Sequence, residues 1–229
     1  MNNFHIFTAN KELRQNGNFN FWISMIKDSK MLLEENVAKN VLDFGCGDGG
    51  LLQLFDLMDN LDIGLGIDLD EQLIKQANIN NEKPNINYKI SKNDTLKKYN
   101  NYFDVAYSQE VIYTIKDLKF HASEIFNSLK HGGYYFTTIG SHIDNPLWSK
   151  RRQLIRDEEN YYAYDYSIEE IADIFYDIGF EVSLKRLPVD YPLIYNPKST
   201  KKFSNSLLDL VNTSYENKMI FSFWKPFAT

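Results

Sequence analysis

The sequence is poor in cysteine: Cys46 is the single thiol among 229 residues. One thiol cannot close an internal disulfide, nor can it form a thiolate metal site, so we expect neither redox nor thiolate-metal chemistry. Cys46 lies inside a glycine-rich segment, where we expect it to fill space rather than to act as a nucleophile. No metal is predicted.

Long apolar runs and an excess of basic charge are also absent. No stretch approaches the roughly 18 uninterrupted apolar residues of a membrane span. The first residues lack the basic start, apolar middle and cleavage site of an export signal. The formal net charge of -6 argues against a nucleic-acid partner, because binding to a phosphate backbone requires a basic face. We expect a soluble, cytoplasmic protein with no membrane partner.

From position 41 onward, short β-type runs alternate with helical segments. The runs are NVLDFG, DIGLGID, NINYKI, FDVAYS, GGYYFTTIG, FEVSLKRL and KMIFSFW. Such alternation predicts an α/β fold, with a mostly parallel sheet covered by helices on both faces. In open sheets of this kind, ligands bind at the edge where the strands have their carboxyl ends.

The segment VLDFGCGDGG, at positions 41 to 50, joins the first of these strands to a helix. Glycine tolerates positive φ and lets a ligand lie against the backbone, and the following helix offers free N–H groups. The loop fits two templates. Gly45, Gly47 and Gly50 satisfy GxGxxG, whereas Asp43, Gly45, Gly47 and Gly49 satisfy DxGxGxG. The glycines therefore predict a ligand without identifying it.

Two acids narrow the choice of ligand. Asp68 closes the second strand about 20 residues beyond the loop, where a carboxylate can accept both hydroxyls of a ribose. Asp43 stands just before the first glycine, where it would repel the diphosphate of a nicotinamide dinucleotide. S-adenosylmethionine instead carries an ammonium and a sulfonium, which a nearby carboxylate attracts. The pair of acids favours the methyl donor.

At this point the sequence resembles the class I S-adenosylmethionine-dependent methyltransferases. VLDFGCGDGG looks like their first motif, GIDLDEQLIKQA like the acidic second strand, NDTL like the adenine-contacting turn, and FDVAYSQEVIYTIKDL like the fourth strand and its loop. GGYYFTTIG adds the fifth strand after its Gly-Gly turn. The resemblance implies a Rossmann-like, seven-stranded sheet whose last strand is antiparallel.

The resemblance also implies roles for residues at the cofactor. At the methionine end of S-adenosylmethionine it places Asp43, Gly45, Gly47 and Gln109. The product of the reaction would be S-adenosylhomocysteine.

At the nucleoside end, the resemblance gives Asp68 the ribose and lets Leu69 pack on the adenine. Asp94 would accept from the adenine amino group, although an Asx residue that only forms a turn fits the same position.

The chain departs from the pattern EVLEH of many small-molecule members, because it reads EVIYT. Thr114 stands in the histidine position, so a histidine role there is not transferred. Tyr113 and Thr114 are still expected to face the substrate. The resemblance divides the single domain into an N-terminal helical cover (1–40), a cofactor-binding core (41–140) and substrate-covering inserts (141–166 and 188–217).

A general base would assist methylation of a hydroxyl. His142 is the candidate, because it follows the fifth strand and has Asp144 two residues on. His5, His121 and His131 are expected at the surface. His142, Asp144 and Asn145 could be mistaken for a metal-binding cluster, but three oxygen or nitrogen donors in one loop are common by chance.

The segment WSKRRQLIRDEENYYAYDYS contains the candidate substrate contacts. Arg152 and Arg156 lie four residues apart on one face of a predicted helix, with Arg151 close by, and can clamp a phosphate or a carboxylate. A solvated helix balanced by neighbouring acids is the alternative. Tyr162 is among four tyrosines that can line or cover the pocket.

The sequence predicts a methyltransferase for a small polar molecule. The favoured acceptor is a hydroxyl of a sugar, phosphorylated or linked to a nucleotide, and a small amine comes second. A NAD-dependent oxidoreductase and a non-catalytic, methyltransferase-like partner protein remain as alternatives of other classes. The sequence leaves the oligomeric state open.

Overall fold

A computed structural model of the chain describes residues 11–158, 162–188, 193, 195, 197, 198, 201 and 204–228. Two parts of the predicted cover therefore lie outside the described residues. They are the first ten residues of the N-terminal segment and most of positions 189–203 within the predicted insert 188–217. Within the described part, no helix is long and apolar enough to span a membrane.

The centre of the fold is one seven-stranded sheet with the order β3-β2-β1-β4-β5-β7-β6. Strands β1 to β5 pair in parallel, and β7 is antiparallel to both β5 and β6. This confirms the predicted mostly parallel, Rossmann-like sheet with an antiparallel last strand. The strands are β1 (Lys39–Phe44), β2 (Leu61–Asp68), β3 (Ile86–Ile90), β4 (Phe103–Gln109), β5 (Leu129–Ile139), β6 (Glu181–Arg186) and β7 (Met219–Trp224).

Helices cover both faces of the sheet, and several begin at a side chain that caps free backbone N–H groups. Asp70, Asp117, Ser167 and Ser206 each accept from a backbone N–H two or three residues on. The helices described are α1 (Lys11–Leu32), α2 (Gly50–Met58), α3 (Glu71–Asn80), α4 (Leu118–Ser128), α5 (Trp148–Glu158), α6 (Ile168–Ile178) and α7 (Leu207–Glu216), with a 3-10 turn at Ile112–Thr114.

Alternate residues of the central strands supply two separate cores. On β1, Val41 packs in the core beneath α1, α2 and α3, whereas Leu42 packs in the core beneath α4 and α6. On β4, Val105 and Ala106 divide in the same way. Because both faces of these strands are buried, their sequences are apolar on both sides instead of alternating with polar residues.

Helix α1 is tied to the sheet along its length. Asp28 accepts from Lys185 of β6 at 2.6 Å, and the hydroxyl groups of Ser29 and Tyr107 are hydrogen-bonded in the core. At the other end of the helix, Asn18 reaches the last residue of β4. The predicted N-terminal helical segment therefore packs as part of the fold, and its first half lies at the ligand-binding edge of the sheet.

The surface position predicted for His121 is wrong. The side chain is 3% exposed on α4, its Nε2 lies 3.1 Å from the Tyr135 hydroxyl, and the centres of its ring and the Phe44 ring are 4.5 Å apart. Burial lowers the pKa of His121 to about 3, so the imidazole is neutral at physiological pH. His121 belongs to the face of α4 that packs on the sheet.

Lys225 connects the end of β7 to the end of α4. Its Nζ donates to the carbonyls of Phe126 and Leu129 and to Oδ1 of Asn101, each at 2.8 Å. We predict that Lys225→Met lowers the free energy of unfolding by about 1–3 kcal/mol, because buried acceptors lose their donor. Urea denaturation measures the change. Lys119→Met, at an exposed position of α4, is the control and should leave stability nearly unchanged; equal effects would contradict the prediction.

Candidate functional site

The loop after β1 turns sharply back over β2. The N–H groups of Gly45 and Cys46 both donate to the carbonyl of Ile67, at 2.8 and 3.1 Å. Gly45 has φ 81°, and a Cβ there would lie 2.4 Å from Cγ2 of Val111, so this position admits no side chain. Gly47 has φ 53°, and a Cβ there would meet no atom of the described protein within 4 Å. The loop therefore has open space in front of Gly47.

Asp68 joins this loop to the end of β2. Its Oδ2 accepts from the N–H of Gly47 and its Oδ1 from the N–H of Asp70, both at 2.9 Å. Each carboxylate oxygen has two lone pairs, so both can accept a further hydrogen bond. The geometry lets the carboxylate fix the loop and still accept two hydroxyl groups of a ribose.

Asp43 is buried behind the loop, at 3% exposure. Desolvation by burial, with a smaller contribution from the nearby charge of Asp68, raises the pKa of Asp43 to about 8. Without a ligand the carboxyl group is therefore largely protonated at neutral pH. A cationic ligand would favour the ionised form, because an opposite charge lowers the pKa of an acid.

Two further predicted cofactor residues lie beyond β2. Leu69 follows the strand with 80% of its side chain exposed, which is high for a leucine and leaves an apolar surface for a flat ring. Asp94 is exposed in the turn after β3, where its carbonyl accepts from the N–H of Lys97. Its part in adenine binding stays a prediction.

Gln109 ends β4 and contacts helix α1. Its Nε2 donates to Oδ1 of Asn18 at 2.8 Å. Trp22 lies one turn of α1 after Asn18, and a Cβ added at Gly50 would lie 2.6 Å from its ring. Helix α1 therefore closes one side of the loop region, with side chains that the sequence did not single out.

A group of charged side chains lies at the carboxyl ends of β4 and β5. A Cβ added at Gly140 would lie 3.1 Å from Cγ of Lys218, 3.3 Å from Oε1 of Glu110 and 3.6 Å from Nη1 of Arg151. Ser141 donates to Oε2 of Glu110 at 3.1 Å. We call Glu110, Arg151 and Lys218 the charged cluster.

The charged cluster is largely withdrawn from water. Arg151 is 7% exposed and Lys218 is 5% exposed. Glu110 has φ 54°, which is sparsely populated by residues other than glycine and is a conformation that functional sites often retain. Sequence reasoning missed Glu110 and Lys218 because a charged residue beside an apolar strand looks like an ordinary surface residue. The positive φ of Glu110 has no sequence signal.

Tyr113 is a predicted substrate residue that interacts with this cluster. Its electrostatic interaction with Arg151 contributes to the pKa of the guanidinium, and its ring meets the Trp148 ring edge-on at 5.7 Å. Thr114, by contrast, uses its hydroxyl within the 3-10 turn, because Oγ1 donates to the carbonyl of Val111 at 2.7 Å. A substrate contact of Thr114 stays a prediction.

Both arginines predicted to clamp an anion have partners within the chain. Arg152 pairs with Asp165, whereas the Arg156 guanidinium lies 5.0 Å from the ring centre of Tyr162. Tyr162 itself is 61% exposed. The neighbouring Arg151 is the arginine of α5 that is buried beside Gly140. The partners of Arg152 and Arg156 lie in the segment between α5 and α6. The spacing of residues along α5 carries no information about that segment.

His142 lies in the loop after β5 and is 2% exposed. Its Nε2 donates to the carbonyl of Asn217 at 2.7 Å. Nδ1 is buried 3.6 Å from Oδ2 of Asp144. This arrangement supports a contact between the β5 loop and the end of α7. The catalytic role of His142 stays a prediction.

A family model described as a methyltransferase domain matches residues 18–184, which include the loop, Asp68, Glu110 and Arg151. A search among curated proteins finds no match.

Solved structures share the fold at low identity. A chain of the complex between the Haloferax volcanii Trm112 methyltransferase activator and its methyltransferase has a TM-score of 0.78 at 17% identity, with 94% of each chain covered. An S-adenosylmethionine-dependent methyltransferase from Mesorhizobium loti has a TM-score of 0.67 at 15% identity, covering 87% of this chain and 97% of that one.

A third solved structure is phosphoethanolamine N-methyltransferase 2 from Haemonchus contortus, in complex with phosphomonomethylethanolamine and S-adenosylhomocysteine. It has a TM-score of 0.67 at 18% identity, and the match covers 92% of this chain and 54% of that one. At these identities the likenesses show the fold alone.

The open space at Gly47 generates a prediction about cofactor binding. Gly47→Ala should weaken S-adenosylhomocysteine binding by about tenfold or more, because the methyl group enters the ligand space. The positive φ should cost stability by only about 1 kcal/mol. Gly179→Ala is the matched control, since Gly179 also has positive φ but ends α6. Calorimetric titration of both variants tests this, and equal binding by the two would contradict it.

The raised pKa of Asp43 generates a prediction about pH. S-adenosylhomocysteine carries an ammonium group, so its binding should ionise Asp43 and release a proton at pH 7. Affinity should then rise with pH up to about 8 and level off, because above that pH the unliganded carboxyl is already ionised. Calorimetry in buffers of different ionisation enthalpy counts the protons. Asp43→Asn should abolish the release; a release that persists in this variant would assign the proton elsewhere.

Proposed function

The chain belongs to the S-adenosylmethionine-dependent methyltransferases, and from this premise we propose that it methylates a hydroxyl group of a small polar acceptor. The favoured acceptor is a sugar that is phosphorylated or linked to a nucleotide. The family assignment replaces the NAD-dependent oxidoreductase that the glycine template had left open. Asp43, Gly45, Gly47, Asp68, Leu69, Asp94 and Gln109 are proposed to bind the cofactor.

The observation that supports this proposal is the order of groups along one edge of the sheet. The loop follows β1, and Asp68 is the last residue of β2. Gln109 ends β4 and Glu110 comes next. Gly140 follows β5, and Lys218 precedes the antiparallel β7. Neighbouring strands lie about 4.8 Å apart, and β5 is the second strand from β1, so the ends of β1 and β5 are about 10 Å apart. That separation suits a cofactor whose methyl group points from the loop toward the cluster.

Methyl transfer from a sulfonium is an in-line displacement with a neutral thioether as leaving group. The protein must therefore align the acceptor atom and exclude water, and it need not stabilise a departing charge. A hydroxyl also needs a group that takes its proton as the new bond forms. We assign this step to the carboxylate of Glu110, because it lies in the charged cluster and in a strained backbone conformation.

An amine is the second candidate acceptor. The same carboxylate of Glu110 favours it, because an anionic group attracts the ammonium form of an amine before its deprotonation. The Haemonchus contortus enzyme is named for methylating an amine on a phosphate ester. The two candidates differ in the acceptor atom but share the position of the reaction.

A screen of acceptors distinguishes these candidates. The protein with S-adenosylmethionine is offered sugars, sugar phosphates, nucleotide-linked sugars and small amines, and formation of S-adenosylhomocysteine is measured. We expect turnover with a phosphorylated or nucleotide-linked sugar. Turnover with amines alone would select the second candidate, and S-adenosylhomocysteine binding without any turnover would favour the non-catalytic partner.

With the acceptor in hand, two variants compare the possible bases. Glu110→Gln should lower kcat by about tenfold or more while S-adenosylhomocysteine affinity holds, because the amide cannot take the proton. His142→Ala should leave kcat within a few-fold, since Nε2 is engaged by the carbonyl of Asn217. The reverse result would return the base to His142, as the sequence predicted.

A further inference from the structure

We infer that Arg151 and Lys218 form a subsite that binds an oxyanion, a phosphate or a carboxylate, on the methyl acceptor. This inference rests on the proposed function, because it places the anion at the acceptor end of the site. It goes beyond that function by naming the residues that select the acceptor, and these are not the pair that the sequence predicted.

The first support is that the side chains of Arg151 and Lys218 approach the same residue, Gly140. Arg151 comes from α5 and Lys218 from the residue before β7, and both approach Gly140 at the end of β5. Nζ of Lys218 lies 4.3 Å from the ring centre of Phe21, which holds the ammonium beside α1. Two basic side chains from separate elements thus lie beside a residue that has no side chain, and the charge of Glu110 acts to raise the pKa of each.

The second support is electrostatic. Burying two cations side by side costs free energy, since both lose water and repel each other. Burial, reinforced by the charge of Arg151, lowers the pKa of Lys218 to about 7 although Glu110 acts to raise it. Burial also lowers the pKa of Arg151. Burial therefore disfavours the charged form of both side chains, and an oxyanion bound beside them would favour that form.

The third support is the chemistry of the two side chains. A guanidinium presents a planar set of N–H donors that matches two oxygens of a phosphate or carboxylate, and an ammonium adds a compact charge. Glu110 lies in the same cluster, so the subsite also contains a group that repels an anion placed too close to it. We therefore expect the anion of the acceptor to contact the two cations and its reacting hydroxyl to contact Glu110.

Sulfate and acetate serve as probes of the two oxyanion classes. Protein saturated with S-adenosylhomocysteine is titrated with each salt at constant ionic strength, and binding is measured by calorimetry. We expect saturable binding that weakens about tenfold or more in Arg151→Gln and in Lys218→Met. Arg152→Gln is the matched control and should bind as the wild type does, because Arg152 pairs with Asp165 at the surface of α5. Binding of acetate alone would identify the anion as a carboxylate.

The pH dependence of the wild type gives a second measurement that needs no variant to fold. Sulfate keeps its charge over this range, so its affinity should fall as the pH rises through about 7 and Lys218 loses its proton. Glu110 raises the pKa of Lys218, and Arg151 lowers it. Tyr113 in turn raises the pKa of Arg151. Lys218→Arg should remove the fall and keep the binding.

Absence of saturable sulfate and acetate binding would overturn the inference, as would an equal loss of binding in Arg152→Gln. Failure of the wild type to bind S-adenosylhomocysteine would instead count against the proposed function, because the cofactor end of the site does not include Arg151 or Lys218. The two failures are therefore distinguishable in one set of titrations.

Discussion

The parallel pairing of β1 between β2 and β4 is the constraint on which the site depends. In this register Asp43 lies beside Gly66 on one side and Tyr107 on the other, and the three strands end together. Parallel strands bring all their carboxyl ends to one edge, so residues far apart in sequence meet there. The bond from Gly47 to Asp68 then fixes the loop across two of these ends.

Burial gives the two halves of the site opposite electrostatic preferences. At the cofactor half, Asp43 is an acid whose pKa is raised, and at the acceptor half Lys218 is a base whose pKa is lowered. Each group is held close to its neutral form in the absence of ligand. A cationic methyl donor would favour the ionised form of the first and an anionic acceptor that of the second, because an opposite charge stabilises an ionised group.

The strands and the cofactor loop could be read from the sequence because each has a local signal. Short β-type runs that alternate with helical segments mark the strands, and closely spaced glycines beside Asp43 mark the turn. The acceptor half has no such signal. A spacing of four residues predicts that Arg152 and Arg156 share a face of α5, but it does not say which face of the helix is buried. His121 and His142 were likewise judged without knowledge of the elements that cover them.

The sequence alone determined the fold class and the family, because these follow from patterns that neighbouring residues carry, and the resemblance to that family implied the antiparallel last strand. Tertiary structure alone decided that Glu110, Arg151 and Lys218 share one buried volume, since they come from three elements that meet only when β4, β5 and β7 pair. It also decided which charges lie out of water. Burial depends on what packs over a side chain, and that is a property of the whole fold.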